Sequence, residues 1–145
     1  MPDIPQNTGN IGRLCFAAGC RLVLVRPMGF RLTDSQLQRA GMDYWDKLDL
    51  LILDDLEEFR EWCIGKRIFF LSSKGSQNYA KIEYKLGDVF CFGSEAKGFP
   101  EEIFNEGKRD GNLIKIPMIK EARCLNVSTS AGIVLFEALR QIEKW

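Results

Sequence analysis

Arg13 closes the run Pro5-Gln6-Asn7-Thr8-Gly9-Asn10-Ile11-Gly12-Arg13. Asn and Gly favour turns, so this spacing predicts Arg13 in the first turns of a following helix. A guanidinium beside exposed helix amides suits a phosphate or another anion. A plain helix entry with a surface arginine is the bland alternative. A second chemical stretch is Phe92-Gly93-Ser94-Glu95-Ala96-Lys97-Gly98-Phe99-Pro100, where two glycines bracket a carboxylate just after an apolar run. Glycine lets a backbone approach a ligand closely, but an ordinary strand-to-helix loop opened by Pro100 fits equally well. The third runs Ile116-Pro117-Met118 and then Arg123-Cys124-Leu125-Asn126-Val127-Ser128. Ile116, Met118 and Leu125 beside polar backbone would suit an adenine ring. Asn126 and Ser128 are also good helix caps.

The chain contains no histidine. This removes the usual general base and every Ser-His or Cys-His dyad. Cys124 next to Arg123 is a conceivable nucleophile, yet without a conventional base a packing or backbone role is the simpler reading. The cysteines at 15, 20, 63, 91 and 124 are odd in number and form no C-x-x-C pair. They suggest a reducing compartment, no disulfide framework and no metal. The glycine-bearing loops match neither G-x-G-x-x-G nor a P-loop, so dinucleotide and NTP readings lose their usual support.

These groups need a scaffold. At 145 residues, 46% hydrophobic and 28% charged, the chain suits a single domain spanning 1–145 with a real core. The formal net charge is zero. RNA contact would therefore need a local patch rather than a generally basic surface. Residues 49–61 are mostly acidic and read as a solvated face; residues 108–123 (Lys108, Arg109, Lys115, Lys120 and Arg123 against Asp110 and Glu121) read as a solvated face or an RNA patch. No apolar run reaches spanning length and no signal peptide is visible, so the expected location is the cytoplasm.

Short apolar runs alternate with helical patterns, which predicts an α/β fold with a mostly parallel sheet flanked by helices. Strands are expected at Leu22–Val25, Leu50–Leu53, Ile68–Leu71, Val89–Phe92 and Leu113–Ile116. Helices are expected from Ile11 to Gly19, around Leu37 after a cap at Thr33 or Asp34, after the Asp55/Glu58 capping pair as far as Gly65, and from Asn126 or Ser128 through Ile142. Ligands in open α/β sheets bind beyond the carboxyl ends of strands. Three such ends, Leu71–Gly75, Gly93–Gly98 and Pro117–Leu125, would together make one pocket.

Taken in order, the three stretches resemble the motifs of the SPOUT methyltransferases, SpoU branch. Pro5–Arg13 is similar to the first motif of that family, F-G-x-E-x-x-G at Phe92–Gly98 to the second, and Ile116–Met118 with Arg123–Ser128 to the third. Arg39-Ala40-Gly41-Met42-Asp43-Tyr44-Trp45 is similar to the tRNA (cytidine/uridine) 2′-O-methyltransferases of the wobble position. The likeness runs nearly end to end, through Glu137-Ala138-Leu139-Arg140-Gln141.

The resemblance implies a SPOUT α/β-knot with a deep trefoil knot near the C-terminus, a homodimer, and methyl transfer from S-adenosyl-L-methionine (SAM) to a ribose 2′-hydroxyl in a tRNA anticodon stem-loop. It implies SAM contacts at Leu71, Gly93, Ile116 and Cys124, with Met118 and Leu125 nearby, many of them main-chain. The catalytic set it suggests is Arg13, Asn7, Glu95 and Asn126. Because a guanidinium does not give up its proton near neutral pH, Arg13 is expected to act electrostatically, on the phosphate beside the target ribose and on the developing alkoxide. Asn7 and Asn126 would orient it or the hydroxyl, and Glu95 would hold the arginine or shape the loop.

Three departures from the family pattern stand out. Relatives carry a short apolar strand ahead of the position of Met1-Pro2-Asp3-Ile4, so the expectation is either that this strand is absent or that the true start lies upstream; Cys124 stands where serine is usual, and Lys97 stands where Arg or Thr-Gly-type variants are common. A tRNA patch is expected from Arg21, Arg26, Arg31 and Arg39 together with Lys115, Lys120 and Arg123. Tyr44 or Trp45 would stack on a base or, more simply, pack in the core or a dimer interface. Rival readings are a non-catalytic SAM- or RNA-binding relative, separated by labelled methyl transfer, and a nucleotide-cofactor oxidoreductase, separated by NAD(H) binding.

Overall fold

The computed structural model describes residues 1–31 and 44–144. The helix expected around Leu37 and the arginine at 39 lie outside the described residues. The chain divides into two compact units, Met1–Ile64 and Gly65–Trp145.

In the first unit, helix α1 (Pro5–Ala17) precedes strand β1 (Leu22–Val25). Strand β2 (Leu50–Leu53) pairs with β1 in parallel, Leu22 opposite Leu50 and Val25 opposite Leu53. A 3-10 turn at Trp45–Lys47 leads into β2, and helix α2 (Leu56–Cys63) follows it. Cys15 of α1 packs with Leu22, Leu24 and Leu48, and Ile11 and Trp45 lie against that cluster.

Helix α1 begins at Pro5, not after the Asn/Gly run, so Arg13 sits two turns from its N-terminus rather than beside exposed amides. Pro5 suits the first helical position. Asn7, Thr8, Gly9 and Gly12 are buried, and this burial overrides the weak helix propensity of Asn and Gly. The helix stops where expected, since Gly19 has φ +64°. The Asp55 cap is also as read: its side chain accepts from Glu58 N at 2.9 Å, while the Glu58 carboxylate reaches back to Asp54 N at 2.6 Å.

In the second unit, strands β3 (Ile68–Leu71), β4 (Gln77–Asn78), β5 (Val89–Phe92) and β6 (Leu113–Lys115) form one sheet in the order β4-β6-β3-β5. Every pairing in it is parallel. Helix α3 (Glu101–Arg109) runs between β5 and β6, and helix α4 (Val127–Glu143) follows β6. The central strand β3 is covered on both faces, which explains its unbroken apolar run. Phe69 meets Tyr84, Phe90, Val134 and Ala138 on one side. Phe70 meets Phe99 and the Gly107 turn of α3 on the other.

A polar brace ties the loop before β5 to the sheet. Arg67 donates to both Asp88 carboxylate oxygens at 2.9 and 2.8 Å and to the Glu83 carbonyl at 2.7 Å, with its guanidinium over Phe69. Among the described residues, no helix is long and apolar enough to cross a membrane.

Candidate functional site

The strand order decides which loops meet. Because β3 lies between β5 and β6, Leu71 is opposite Phe92 on one side and Ile114 on the other. All three strands run the same way, so the loops after Leu71, Phe92 and Lys115 leave one edge of the sheet side by side. The residues expected to hold SAM at Leu71, Gly93, Ile116 and Met118 therefore lie on neighbouring chain segments of one unit. Cys124 and Leu125 lie on the exposed stretch between Met118 and the start of α4.

These loops are held by their own backbone. After β3, Ser72 N donates to the Ile114 carbonyl at 3.0 Å and Gly75 N donates to the Ser72 carbonyl at 3.0 Å. A Cβ on Gly75 would lie 2.4 Å from the carbonyl carbon and oxygen of Ile114. Only a glycine lets the two backbones pass this closely. After β5, Ser94 and Gly98 exchange two hydrogen bonds, Ser94 N to Gly98 O at 3.0 Å and Gly98 N to Ser94 O at 2.8 Å. Lys97 N adds a bond to Ser94 Oγ at 3.2 Å. A Cβ on Gly93 would lie 2.3 Å from the Gly98 carbonyl carbon. Glu95 rides on this closed loop.

Glu95 is the loop residue that stands out in the sequence, but the turns are shaped by Ser72 and Ser94, whose Oγ atoms accept from Lys74 N and Lys97 N. The available signal is a serine within two residues of a strand end with a glycine three or four residues further on.

The stretch after β6 carries apolar surface. Leu125 is 38% exposed and Ile119 is 74% exposed. Adjacent strand-end backbone, glycine-bearing turns and exposed aliphatic groups make a donor set that fits SAM: main-chain groups for its polar edges and an apolar wall for a purine. Among the described residues, no group of three or more His, Cys, Asp or Glu side chains is arranged to hold a metal ion.

Asn126 is the N-cap of α4. Its Oδ1 accepts from Ser128 N at 2.8 Å, Ser128 Oγ at 2.7 Å and Thr129 N at 3.4 Å. Any substrate contact by Asn126 is then as a donor, through Nδ2. Cys124 is a free thiol and exposed, whereas Cys15 is buried and its thiol is pushed up to about 12, chiefly by that burial.

In the first unit, Asn7 is 5% exposed and Arg13 is exposed. The Arg13 guanidinium carbon lies 5.7 Å from the Tyr44 ring centroid. Tyr44 itself is buried, and Trp45 packs against the α1 cluster, so the simpler reading of both aromatics as core residues holds. Of the cations expected to face RNA, Arg21 pairs with Asp49 at 2.9 Å and Arg26 pairs with Asp54. Each of the two thus has a carboxylate partner at the surface. Lys120 and Arg123 are exposed on the stretch after β6.

Residues 1–136 match the model of the SpoU rRNA Methylase family. The chain is 44% identical to a tRNA (cytidine(34)-2′-O)-methyltransferase of Methylovorus glucosotrophus, over 97% of this chain and 91% of that protein. Its fold is similar to a solved structure described as giving insights into 2-OH methylation of C/U34 on tRNA (TM-score 0.93, 38% identity, 99% of this chain and 93% of that one). It is also similar to an AdoMet-bound rRNA methyltransferase from Sinorhizobium meliloti (TM-score 0.84, 30% identity, 96% of this chain and 53% of that one). Motif order, parallel sheet and matched length agree: the chain belongs to the SpoU methylase family.

Proposed function

We propose that this chain transfers the methyl group of SAM to the ribose 2′-hydroxyl of the wobble nucleotide, cytidine or a modified uridine at position 34, of a tRNA. The observation that carries the reading is the alignment of the β3, β5 and β6 loops at one sheet edge. The names of the relatives supply the substrate.

Leu71, Gly93, Ile116, Met118, Cys124 and Leu125 would hold SAM, largely through main-chain groups. Bound there, SAM supplies an electrophilic methyl on its sulfonium. A ribose hydroxyl is a weak nucleophile and gains most from being aligned; positioning contributes up to roughly 7–11 kcal/mol in ideal systems.

Arg13 binds the phosphate beside the target ribose and lowers the cost of negative charge on the 2′-oxygen as its proton passes to solvent water. Asn7 and Asn126 orient the hydroxyl or the arginine. Glu95 shapes the loop it rides on. No step needs a metal.

The reading extends to a single catalytic domain with a C-terminal trefoil knot, working as a homodimer in the cytoplasm. Phe16 on α1 and Phe136 on α4, each 44% exposed, offer apolar surface for self-association.

The test is methyl transfer from labelled SAM into tRNA that lacks the modification, with the labelled nucleoside mapped by mass spectrometry. A 2′-O-methyl group at position 34 is expected. Label on a base, or none in tRNA, overturns the proposal. Arg13→Ala is expected to lower kcat by about 10²–10³-fold, the effect of losing one preorganised charge-stabilising group. Full activity in that variant removes Arg13 from the mechanism.

A further inference from the structure

The Asn7–Arg13 run and the Tyr44–Trp45 pair are far apart in sequence, and the proposed mechanism uses only the first. In the first unit they meet at Tyr44. Its hydroxyl donates to the Gly9 carbonyl at 2.7 Å. In a helix this is the carbonyl that also accepts the amide of the residue four positions on, here Arg13. The Tyr44 ring faces the Arg13 guanidinium at 5.7 Å and stacks on Phe16 at 5.5 Å and 25°. The next residue closes the same contact: a Cβ on Gly12 would lie 2.8 Å from the Trp45 ring. Gly12 thus sets how closely the 44–45 turn can approach α1. Tyr44 is 6% exposed and stacked on Phe16. Its ring is a fixed surface, whereas a free arginine side chain samples many rotamers.

We propose that Tyr44 is a positioning residue for Arg13: its ring, packed against α1, fixes the guanidinium. The inference rests on the assignment of Arg13 to the methyl-transfer step. A cation over an aromatic face is held by the ring's electrostatics, and such contacts amount to roughly a 3- to 30-fold effect. Because the device acts on the orientation of one group, it bears on kcat and not on cofactor binding.

Three measurements test it on the full-length protein. First, NMR of the Arg13 side chain, identified by comparison with Arg13→Lys, should show an upfield ring-current shift at its δ protons. Second, with tRNA and SAM saturating, Tyr44→Leu should lose roughly 3- to 30-fold in kcat, with SAM affinity by calorimetry unchanged. Third, Tyr44→Phe, which keeps the ring and drops the hydroxyl, should stay within about twofold of the unmodified protein and keep the shift.

Absence of the shift in the unmodified protein overturns the proposal, and so does a folded Tyr44→Leu with full kcat. A Tyr44→Phe variant as impaired as Tyr44→Leu also overturns it, because the hydroxyl and not the ring would then matter. If Tyr44→Leu does not fold, the shift and the Tyr44→Phe kinetics decide. Should Arg13→Ala keep full activity while the shift is present, the mechanistic assignment of Arg13 fails and the contact with Tyr44 stands.

Discussion

A methyl group added at Gly93 would have to share space with the backbone of Gly98 and Phe99, at 2.3 and 2.5 Å. Neither is a side chain that can swing away, so Gly93→Ala must push the loop open. Overpacking of this kind costs about 1–3 kcal/mol. The expected outcome is a lower Tm together with at least a tenfold weaker SAM affinity by calorimetry; an unchanged affinity would take the Ser94–Gly98 loop out of the cofactor site. Thiol chemistry gives a second residue-level check. Burial holds the Cys15 thiol protonated up to about pH 12, while Cys124 is exposed. Iodoacetamide at pH 8 should therefore modify Cys124 in the native protein and reach Cys15 only after unfolding.

Helix α4 is fastened at both ends by side chains, and each fastening has its own signature. At the start, Asn126 accepts three bonds. Asn126→Ala should lower stability by about 0.5–2 kcal/mol in urea unfolding, the usual cost of a lost cap. Near the other end, Arg140 and Gln141 hydrogen-bond the Glu137 carboxylate and hold its pKa down to about 2, below its ordinary 4.5. Gln141 also donates to the Ile82 carbonyl and accepts from Tyr84 N, so the carboxylate anchors the chain that joins α4 to the loop before β5. A depressed acid stabilises the fold above its unfolded pKa and loses that contribution as pH falls toward the folded value. Glu137→Gln should thus be less stable than the parent at pH 7, and the gap in Tm should close between about pH 4.5 and 2.

How much of this could be read in advance depended on the element. Strands β1, β2, β3, β5 and β6 announced themselves as bounded runs of Leu, Ile, Val and Phe, because parallel strands covered on both faces must be apolar throughout. Strand β4 did not. Gln77 and Asn78 carry no apolar signal and are a strand only because β6 lies beside them. The start of α1 was misread for the opposite reason, since Asn and Gly argue locally against a helix that tertiary burial enforces. The loops of the candidate site were legible from Gly93, Gly98 and Pro117. The Tyr44–Arg13 contact was not, because no local rule links residues that far apart.

For the molecule as a whole, a net charge of zero means that tRNA affinity must come from few, well-placed cations. Arg21 and Arg26 are paired with Asp49 and Asp54. Lys120 and Arg123 are exposed beyond β6. Binding measured against salt should separate the pairs: Lys120→Ala and Arg123→Ala should each weaken tRNA binding and lower the slope of log K against log salt by about one. Arg21→Ala and Arg26→Ala should leave the slope unchanged. The reverse pattern would move the RNA path to the first unit.

The order β4-β6-β3-β5 also governs when the sheet can be finished. Strand β3 meets β5 after about twenty residues of chain, but its other neighbour, β6, comes only at Leu113–Lys115. During synthesis the β6 side of β3 must therefore stay unpaired until Lys115 has cleared the ribosome. Long-range pairing of this kind folds slowly, and a nascent chain paused before that point would be the species most in need of a chaperone.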